Sequence, residues 1–489
     1  PANEVSGSVS LPTEQEFSAA SVYVGINSLR VNDYVLFAQE KFVDWVHGMR
    51  EAIRATGAAQ PITVGQDEGG FLDRLNPAFF APQVDFTTNH SWWQNDYLLW
   101  DSLVAKQPGK AMLIQETGLQ RELTMNELAR RTPEQEAALF ERKFALSFVF
   151  GSGAIEWLWN SNSYMTESNE TPIGALHADG TEKPEATVLR DMAKFAAAAS
   201  PYLKNPKPPA IAVVTSQAAQ YSVQGELQIA AQQNAVRALA YGLHQPCYII
   251  AENQIDKLGS PKLVILPSAQ ALRESTWQAL LTYVKDGGNL LVTGPISRDE
   301  HWHTVDRYTP LGIKATTEPL TFHDASLLTL FKLGDNPATT WLTHLSYEQS
   351  KQQLLEYLVF ANGWDLQEIP LSKGKLYWIP YPLELAENFS DTTDIYRWIT
   401  DNSGVKPFRF YPPEPTPRSL FDRHAELIYP VKLEGAVLYI FESEWGQDTK
   451  IHIHDEDSGA DVEFKLPSQR AALALIDKKT KQIVAKYGF

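Results

Sequence analysis

Two carboxylates stand out by what surrounds them. Glu4 follows Asn3 near the start of the sequence, and Glu116 closes the apolar run Ala111 to Gln115 and is followed by Thr117-Gly118. A third segment, Gly153 to Asn160, carries Trp157 and Trp159. A pair of carboxyls at two strand ends suits cleavage of a glycosidic bond. One protonates the departing oxygen while the other attacks the anomeric carbon, which requires a separation of about 5 to 5.5 Å. An aromatic face beside the pair suits a sugar ring, because the axial C–H bonds form an apolar patch. Other apolar runs end in polar or aromatic side chains too: Asp67-Glu68, Asn89-His90 and Trp92.

Residues so distant in sequence meet only if parallel strands present their C-terminal ends on one rim. The spacing of Val35, Phe42, Trp45, Val46, Met49 and Ile53 predicts a helix over 32–55, closed by Thr56-Gly57. Strands are expected at 61–64, 84–88, 111–115 and 154–159, with helices near 95–106 and 133–150. This β/α repetition implies a parallel sheet with both faces covered, and a site at the C-terminal mouth of a barrel.

A proline-rich linker, Asn205 to Pro209, leads to a second β/α segment. Strands are expected at 211–214, 247–251, 263–267, 289–293 and 375–381, and helices at 226–241, 275–285 and 392–400. Asp286-Gly287-Gly288 supplies a glycine stop after the second of those helices. That pattern describes a small doubly wound domain. From Phe408 onward, period-2 runs at 436–442, 450–454, 462–466 and 471–476 predict an antiparallel β-sandwich. The expected domains are 1–204, 205–405 and 406–489.

Composition narrows the partners. With 489 residues, roughly 100 to 200 per domain gives two to four domains. The 13 Trp, 19 Tyr and 22 Phe can fill sizeable cores. Lys plus Arg number 42 against 59 Asp plus Glu, a formal charge of −17, which repels phosphate backbones and anionic lipid and argues against nucleic-acid and membrane partners. Apolar runs such as 211–214 and 263–266 fall far short of the roughly 20 residues that cross a bilayer. A single cysteine, Cys247, excludes an internal disulfide framework and a cysteine zinc cluster. The sequence opens at Pro1 without a methionine or signal segment, so the natural start is expected to have been removed or to lie elsewhere.

With Asn3-Glu4, Glu116-Thr117-Gly118 and the Trp-rich run at 154–159 in view, the chain resembles the clan A glycoside hydrolases, retaining (β/α)8-barrel enzymes. The resemblance implies Glu4 as acid/base at the end of strand four, Asn3 on the sugar 2-hydroxyl, and Glu116 as nucleophile at the end of strand seven. The runs at 61–64, 84–88, 111–115 and 154–159 then fall in order as strands five to eight. His90 and Trp92 match the position that orients the nucleophile, and Trp159 the tryptophan beneath the sugar. A barrel followed by an amidotransferase-like domain and a small β domain is similar in layout to the family 42 β-galactosidases. The run Leu263 to Ser268 and Gly374 to Tyr377 fit that middle domain.

The fold class expected is therefore α/β: the C-terminal half of a (β/α)8 TIM barrel, a doubly wound amidotransferase-like domain, and an antiparallel β-sandwich. Strands one to three have no counterpart here, so a missing N-terminal barrel half is expected as a separate chain or segment, since an open edge would aggregate.

Other residues have ordinary readings. Asp67-Glu68 with Gly69-Gly70 reads as a solvated loop, and Glu156 as a structural ion pair pointing away from Trp157. As barrel core, Trp157 and Trp159 would share a buried face. His452 with His454, and His301 with His303, read as solvent-facing rather than as metal ligands, there being no third ligand nearby. Cys247 opens a strand instead of sitting on a glycine-flanked strand-to-helix turn, so the middle domain reads as catalytically inert, a packing or oligomerisation module.

The function expected is a retaining, exo-acting β-galactosidase-like hydrolase of glycosides, oligosaccharides or polysaccharides, needing no cofactor and no metal. An endo-acting β-mannanase or β-glucanase and a non-catalytic carbohydrate-binding scaffold are the alternatives. Periplasmic or secreted location is favoured over the cytoplasm, and a homo-oligomer through the middle domain is implied by the resemblance.

Overall fold

The computed structural model describes residues 10–14, 26–66, 75–91, 95–118, 125–126, 128–150, 152–161, 173–222, 224–319, 328–333, 336–341, 356–361, 366–386, 388–408, 426–444 and 446–489. Asn3, Glu4, Asp67, Glu68 and Trp92 lie outside these residues.

The first segment runs α1 (Ile26–Ala55), α2 (Pro77–Phe80), β1 (Phe86–Ser91), α3 (Asn95–Ala105), β2 (Ala111–Thr117), α4 (Pro133–Ser147), β3 (Ala154–Glu156) and α5 (Pro184–Ala199). The strands form a parallel sheet in the order β1-β2-β3. Helix α1 stops where the sequence places its stop: Gly57 has φ +86, a conformation open to glycine, and its N–H returns to Arg54 O. Helix α4 starts on a capping box in which Thr132 and Gln135 exchange side-chain and backbone hydrogen bonds, with Pro133 in the first turn. Met112 and Ile114 of β2 are buried in one core with Leu98 and Leu99 of α3 and Phe140 and Phe144 of α4.

The expected strand at 61–64 is not one. Pro61 has no N–H to give a ladder, and the segment is tied to β1 largely by side chains: Thr63 Oγ1 donates to Phe86 O and Thr88 Oγ1 to Val64 O, each at 2.7 Å. The segment expected at 84–88 begins two residues later, because the Asp85 carboxylate is engaged by Arg50, Arg54 and the Ile62 N–H. Helix α1 buries Val46 against Phe80 and Val84. It leaves Phe37, Trp45, Met49 and Ile53 exposed, the last three in four-residue steps.

The middle segment contains β4 (Ile211–Thr215), α6 (Gln217–Gln220), α7 (Gly225–Arg237), β5 (Cys247–Ala251), β6 (Leu263–Leu266), α8 (Glu274–Lys285) and β7 (Asn289–Thr293). After these come the antiparallel pairs β8 (Ala315–Pro319) with β11 (Glu356–Phe360) and β9 (Leu328–Leu333) with β10 (Asn336–Trp341). β12 (Gln367–Leu371), β13 (Gly374–Ile379) and α9 (Phe389–Asn402) complete it. The six-stranded sheet has the order β12-β13-β7-β6-β4-β5, parallel except for β12. This is the expected doubly wound sheet with an antiparallel edge. Gly287, at φ +114, makes the turn from α8 into β7.

The C-terminal segment has β14 (Glu426–Lys432), β15 (Ala436–Ser443), β16 (Thr449–Asp455), β17 (Ala460–Leu466), β18 (Ala471–Asp477) and β19 (Ile483–Tyr487). A four-stranded sheet, β14-β15-β18-β19, packs on the hairpin β16-β17 through Ile428, Val437, Phe441, Ile451, Ile453 and Val462. Its other face carries Leu427, Leu438, Ile440, Leu473 and Leu475 into the large core shared with α3, α4, α5 and the middle sheet. Every residue of β15 is therefore buried, where a polar–apolar alternation was expected. The Pro-rich linker is pinned to this sheet: Lys207 N–H donates to Lys432 O at 2.8 Å and Glu434 N–H to Lys204 O at 3.2 Å. Among the described residues no helix is long and apolar enough to cross a membrane.

Candidate functional site

A bulge decides where Glu116 points. Along β2, Met112 and Ile114 face the helix-packed core, and unbroken alternation would send Glu116 after them. The register with β1 slips instead: Asn89 pairs with Ile114 and His90 with Glu116, leaving Gln115 as the extra residue. Glu116 is thereby turned to the face away from the helices, and the buried Thr117 takes its place toward the core. Gln115 reaches over Gly65, where an added Cβ would come within 3.2 Å of Gln115 Oε1.

β1 shows the same division. Asn89 points to the helix side, where its amide donates to Ser91 Oγ, Asp101 Oδ2 and Ser102 Oγ at 2.8, 3.0 and 3.1 Å. His90 points the other way, and its Nδ1 lies 3.6 Å from Glu116 Oε2. Both side chains are about four-fifths buried, at 18% and 19% exposure, so the pair sits in a recess at the strand ends rather than on open surface. Thr117 Oγ1 donates to Ser91 O at 2.6 Å and fixes the two strand ends together.

β3 adds the aromatic side. It pairs with β2 through Glu156 and Thr117, and the Trp157 N–H donates to Thr117 O at 2.9 Å. The strand stops at Glu156 and the Trp157–Leu158 peptide is cis. Trp157 and Trp159 are exposed by 42% and 67%, so neither belongs to a buried barrel core as expected from a continued strand. Of the two, Trp157 is attached directly to the end of β2, one residue from Glu116. Sequence reasoning favoured Trp159. The earlier stop of β3, invisible in a run of alternating tryptophans, shifts the emphasis.

Glu156 is not the ion pair expected. Its Oε2 is buried without a hydrogen-bond partner. Burial, reinforced by the negative field of Glu185, pushes its carboxyl well above the usual range, outweighing the opposing fields of Lys143 and Lys183. Lys143 of α4 is itself buried and donates from Nζ to Gly118 O at 3.0 Å, two residues beyond Glu116.

Elsewhere, burial pushes the Cys247 thiol up to about 12, the reverse of an activated nucleophile. His303 pairs with Asp299 at 3.3 Å and His454 with Asp461 at 2.8 Å. Among the described residues no group of three or more His, Cys, Asp or Glu could hold a metal ion.

No protein-family model matches the chain, and no curated protein matches it. Solved structures do. A cold-adapted β-galactosidase from Rahnella sp. R3 superposes with a TM-score of 0.71 at 13% identity, over 96% of this chain and 70% of that one. The fold is that of β-galactosidase structures. A β-galactosidase from Bacillus circulans sp. alkalophilus gives a TM-score of 0.68 at 12% identity, covering 91% of this chain and 67% of its own. A family 42 β-galactosidase from G. stearothermophilus gives 0.66 at 13% identity, over 91% and 68%. At such identities the likeness is one of fold: a mixed α/β chain with parallel sheets, arranged as in these enzymes.

Proposed function

We propose that the chain is part of a retaining β-glycosidase with β-galactosidase-like substrate preference, acting by double displacement. The observation that carries this reading is the His90–Glu116 pair, recessed at adjacent parallel strand ends, in a fold shared with β-galactosidase structures. In the proposed mechanism Glu116, ionised, attacks the anomeric carbon while His90 fixes its carboxylate. Glu4 protonates the departing oxygen and then activates water, with Asn3 on the sugar 2-hydroxyl and Trp92, Trp157 and Trp159 around the ring. The first segment is read as part of a (β/α)8 barrel. The exposed row Phe37, Trp45, Met49 and Ile53 on α1 supports this, being the kind of apolar face that a neighbouring barrel helix covers. The middle domain serves packing or oligomerisation, the mechanism calls for no cofactor, and a periplasmic or secreted setting suits the substrate.

The test is hydrolysis of aryl β-galactosides by the full-length protein, with the first-formed anomer followed by NMR. Retention is expected, and Glu116→Gly should be inactive but recover with azide, giving the inverted glycosyl azide. Inversion, or Glu116→Gly at the original rate, refutes the assignment. The joint exposure of Trp157 and Trp159 favours one second reading, an open groove for a polymer. New internal chain ends released from β-mannan or β-glucan would show it.

A further inference from the structure

Three consecutive residues of α4 divide between two neighbouring segments. Glu141 is fully buried and turned to the C-terminal sheet. It accepts from Arg470 Nε, from Arg470 Nη2 at 2.7 Å, from the Ala471 N–H at 3.2 Å and from Tyr487 Oη at 2.6 Å. Arg142 reaches the same sheet, with Nε 3.7 Å from the fully buried Glu442 and Nη1 donating to Gln469 O. Lys143, about 200° around the helix from Glu141, turns to the first segment and holds Gly118 O at 3.0 Å.

We propose that α4 is a positioning element through which the C-terminal β domain sets the placement of Glu116, with Lys143 as the residue that transmits it. The inference rests on Glu116 being the reacting carboxylate. Its physical basis is the distribution of restraint along β2. Upstream, the strand is held by its ladder and by Met112 and Ile114 in the core. At its C-terminal end the register slips against both neighbours, between Asn89 and His90 and between Ile114 and Thr117, so the ladder is weakest where Glu116 stands. The Thr117 hydroxyl and the Lys143 ammonium are the side-chain bonds that replace it. A buried ammonium bonded to a backbone carbonyl is a charge-assisted hydrogen bond and so a strong tether. The tether is as steady as the helix carrying it, and α4 is clamped on its far side by a buried carboxylate with four donor groups. A one-ångström displacement of a reacting group costs about 100-fold in rate. The C-terminal domain thus acts on the reaction without touching the sugar.

The experiment compares Lys143→Met, Lys143→Arg, Arg470→Met and Tyr487→Phe in the full-length protein. It reads kcat and KM on an aryl β-galactoside, and hydrogen–deuterium exchange of the peptide covering 111–118. For Lys143→Met, kcat is expected to fall about 30- to 100-fold with KM changed less than about 3-fold, and Lys143→Arg is expected to restore part of it. Arg470→Met, which acts on α4 through Glu141, should lower kcat about 5- to 10-fold in the same KM-independent way, and Tyr487→Phe less. Both Lys143→Met and Arg470→Met should raise exchange at 111–118 while leaving 211–215 unchanged. Unaltered kcat and exchange at 111–118 in a folded Arg470→Met protein overturns the proposal. If the unmodified protein cleaves no glycoside while Glu116→Gly shows no azide-rescued reaction, the glycosidase reading fails. The exchange of 111–118 in Arg470→Met then still decides whether the helix couples the two segments.

Discussion

Replacing Glu156 by glutamine should make the protein more stable, and increasingly so as the pH rises. The side chain keeps its shape in Glu156→Gln and loses its titration. Unfolded, the carboxyl titrates near the ordinary 4.5; folded, burial and the field of Glu185 hold it well above that value. Between the two values the native state binds the proton that the unfolded state has released. Stability therefore falls with rising pH, by up to about 1.4 kcal/mol per pH unit. Below 4.5 both states are protonated and the contribution is fully present; above the folded pKa its loss is complete. Paired urea titrations of the two proteins, at intervals from about pH 4 to about pH 8, cancel every other group that titrates in both. The difference in unfolding free energy should be near constant at the acid end and should grow in favour of Glu156→Gln toward neutrality. An opposite slope, with the variant losing about 3 to 5 kcal/mol at neutral pH, would mean that Glu156 is ionised and paired with Lys143 or Lys183. That result refutes the reasoning from burial.

Glu116→Gln should lower kcat on an aryl β-galactoside about 1,000-fold or more at a little-changed unfolding midpoint, measured by steady-state kinetics and calorimetry. His90→Ala should cost less, about 10- to 100-fold in kcat, because the carboxylate remains and only its placement loosens. Trp157→Ala should weaken substrate binding more than Trp159→Ala, a comparison of KM that follows from the direct tie of Trp157 to Thr117. Cys247, buried and with its thiol raised to about 12, should resist a disulfide reagent in the native protein and react at once in denaturant.

Much of this molecule was legible in its sequence wherever one rule acted alone. Gly57 closed α1 where expected, although the helix begins at Ile26 and not at Asn32, and α4 starts at the expected Pro133. The apolar runs at 211–214, 247–251, 263–267 and 289–293 became strands to within a residue. What escaped depended on contacts between distant segments. The orientation of Glu116 needs the slip against His90, a property of two strands together. β14 was not expected, because its run Leu427 to Pro430 is buried on both faces and lacks a period of two, nor was β19, a short edge strand in which only Ala485 is buried. The burial of Glu156 depends on where α4 and α5 come to rest. The expected partnership of Glu4 with Glu116, and the roles of Asn3 and Trp92, concern residues outside those described.

The sheet of the C-terminal segment has consequences for anyone cutting this chain. Leu427, Leu438, Ile440, Leu473 and Leu475 lie against the first and middle segments, and Tyr429 Oη donates to Cys247 O at 3.2 Å. Residues 426–489 excised at the apparent boundary would turn that apolar face to water, while the remainder would lose the roof over α4 and α5. The composition break near residue 408 marks a change of strand pattern, not a seam along which the protein separates. Insertions and fusions are better placed at an exposed turn within this sheet, such as Lys479 to Lys481, than at the junction that the sequence advertises.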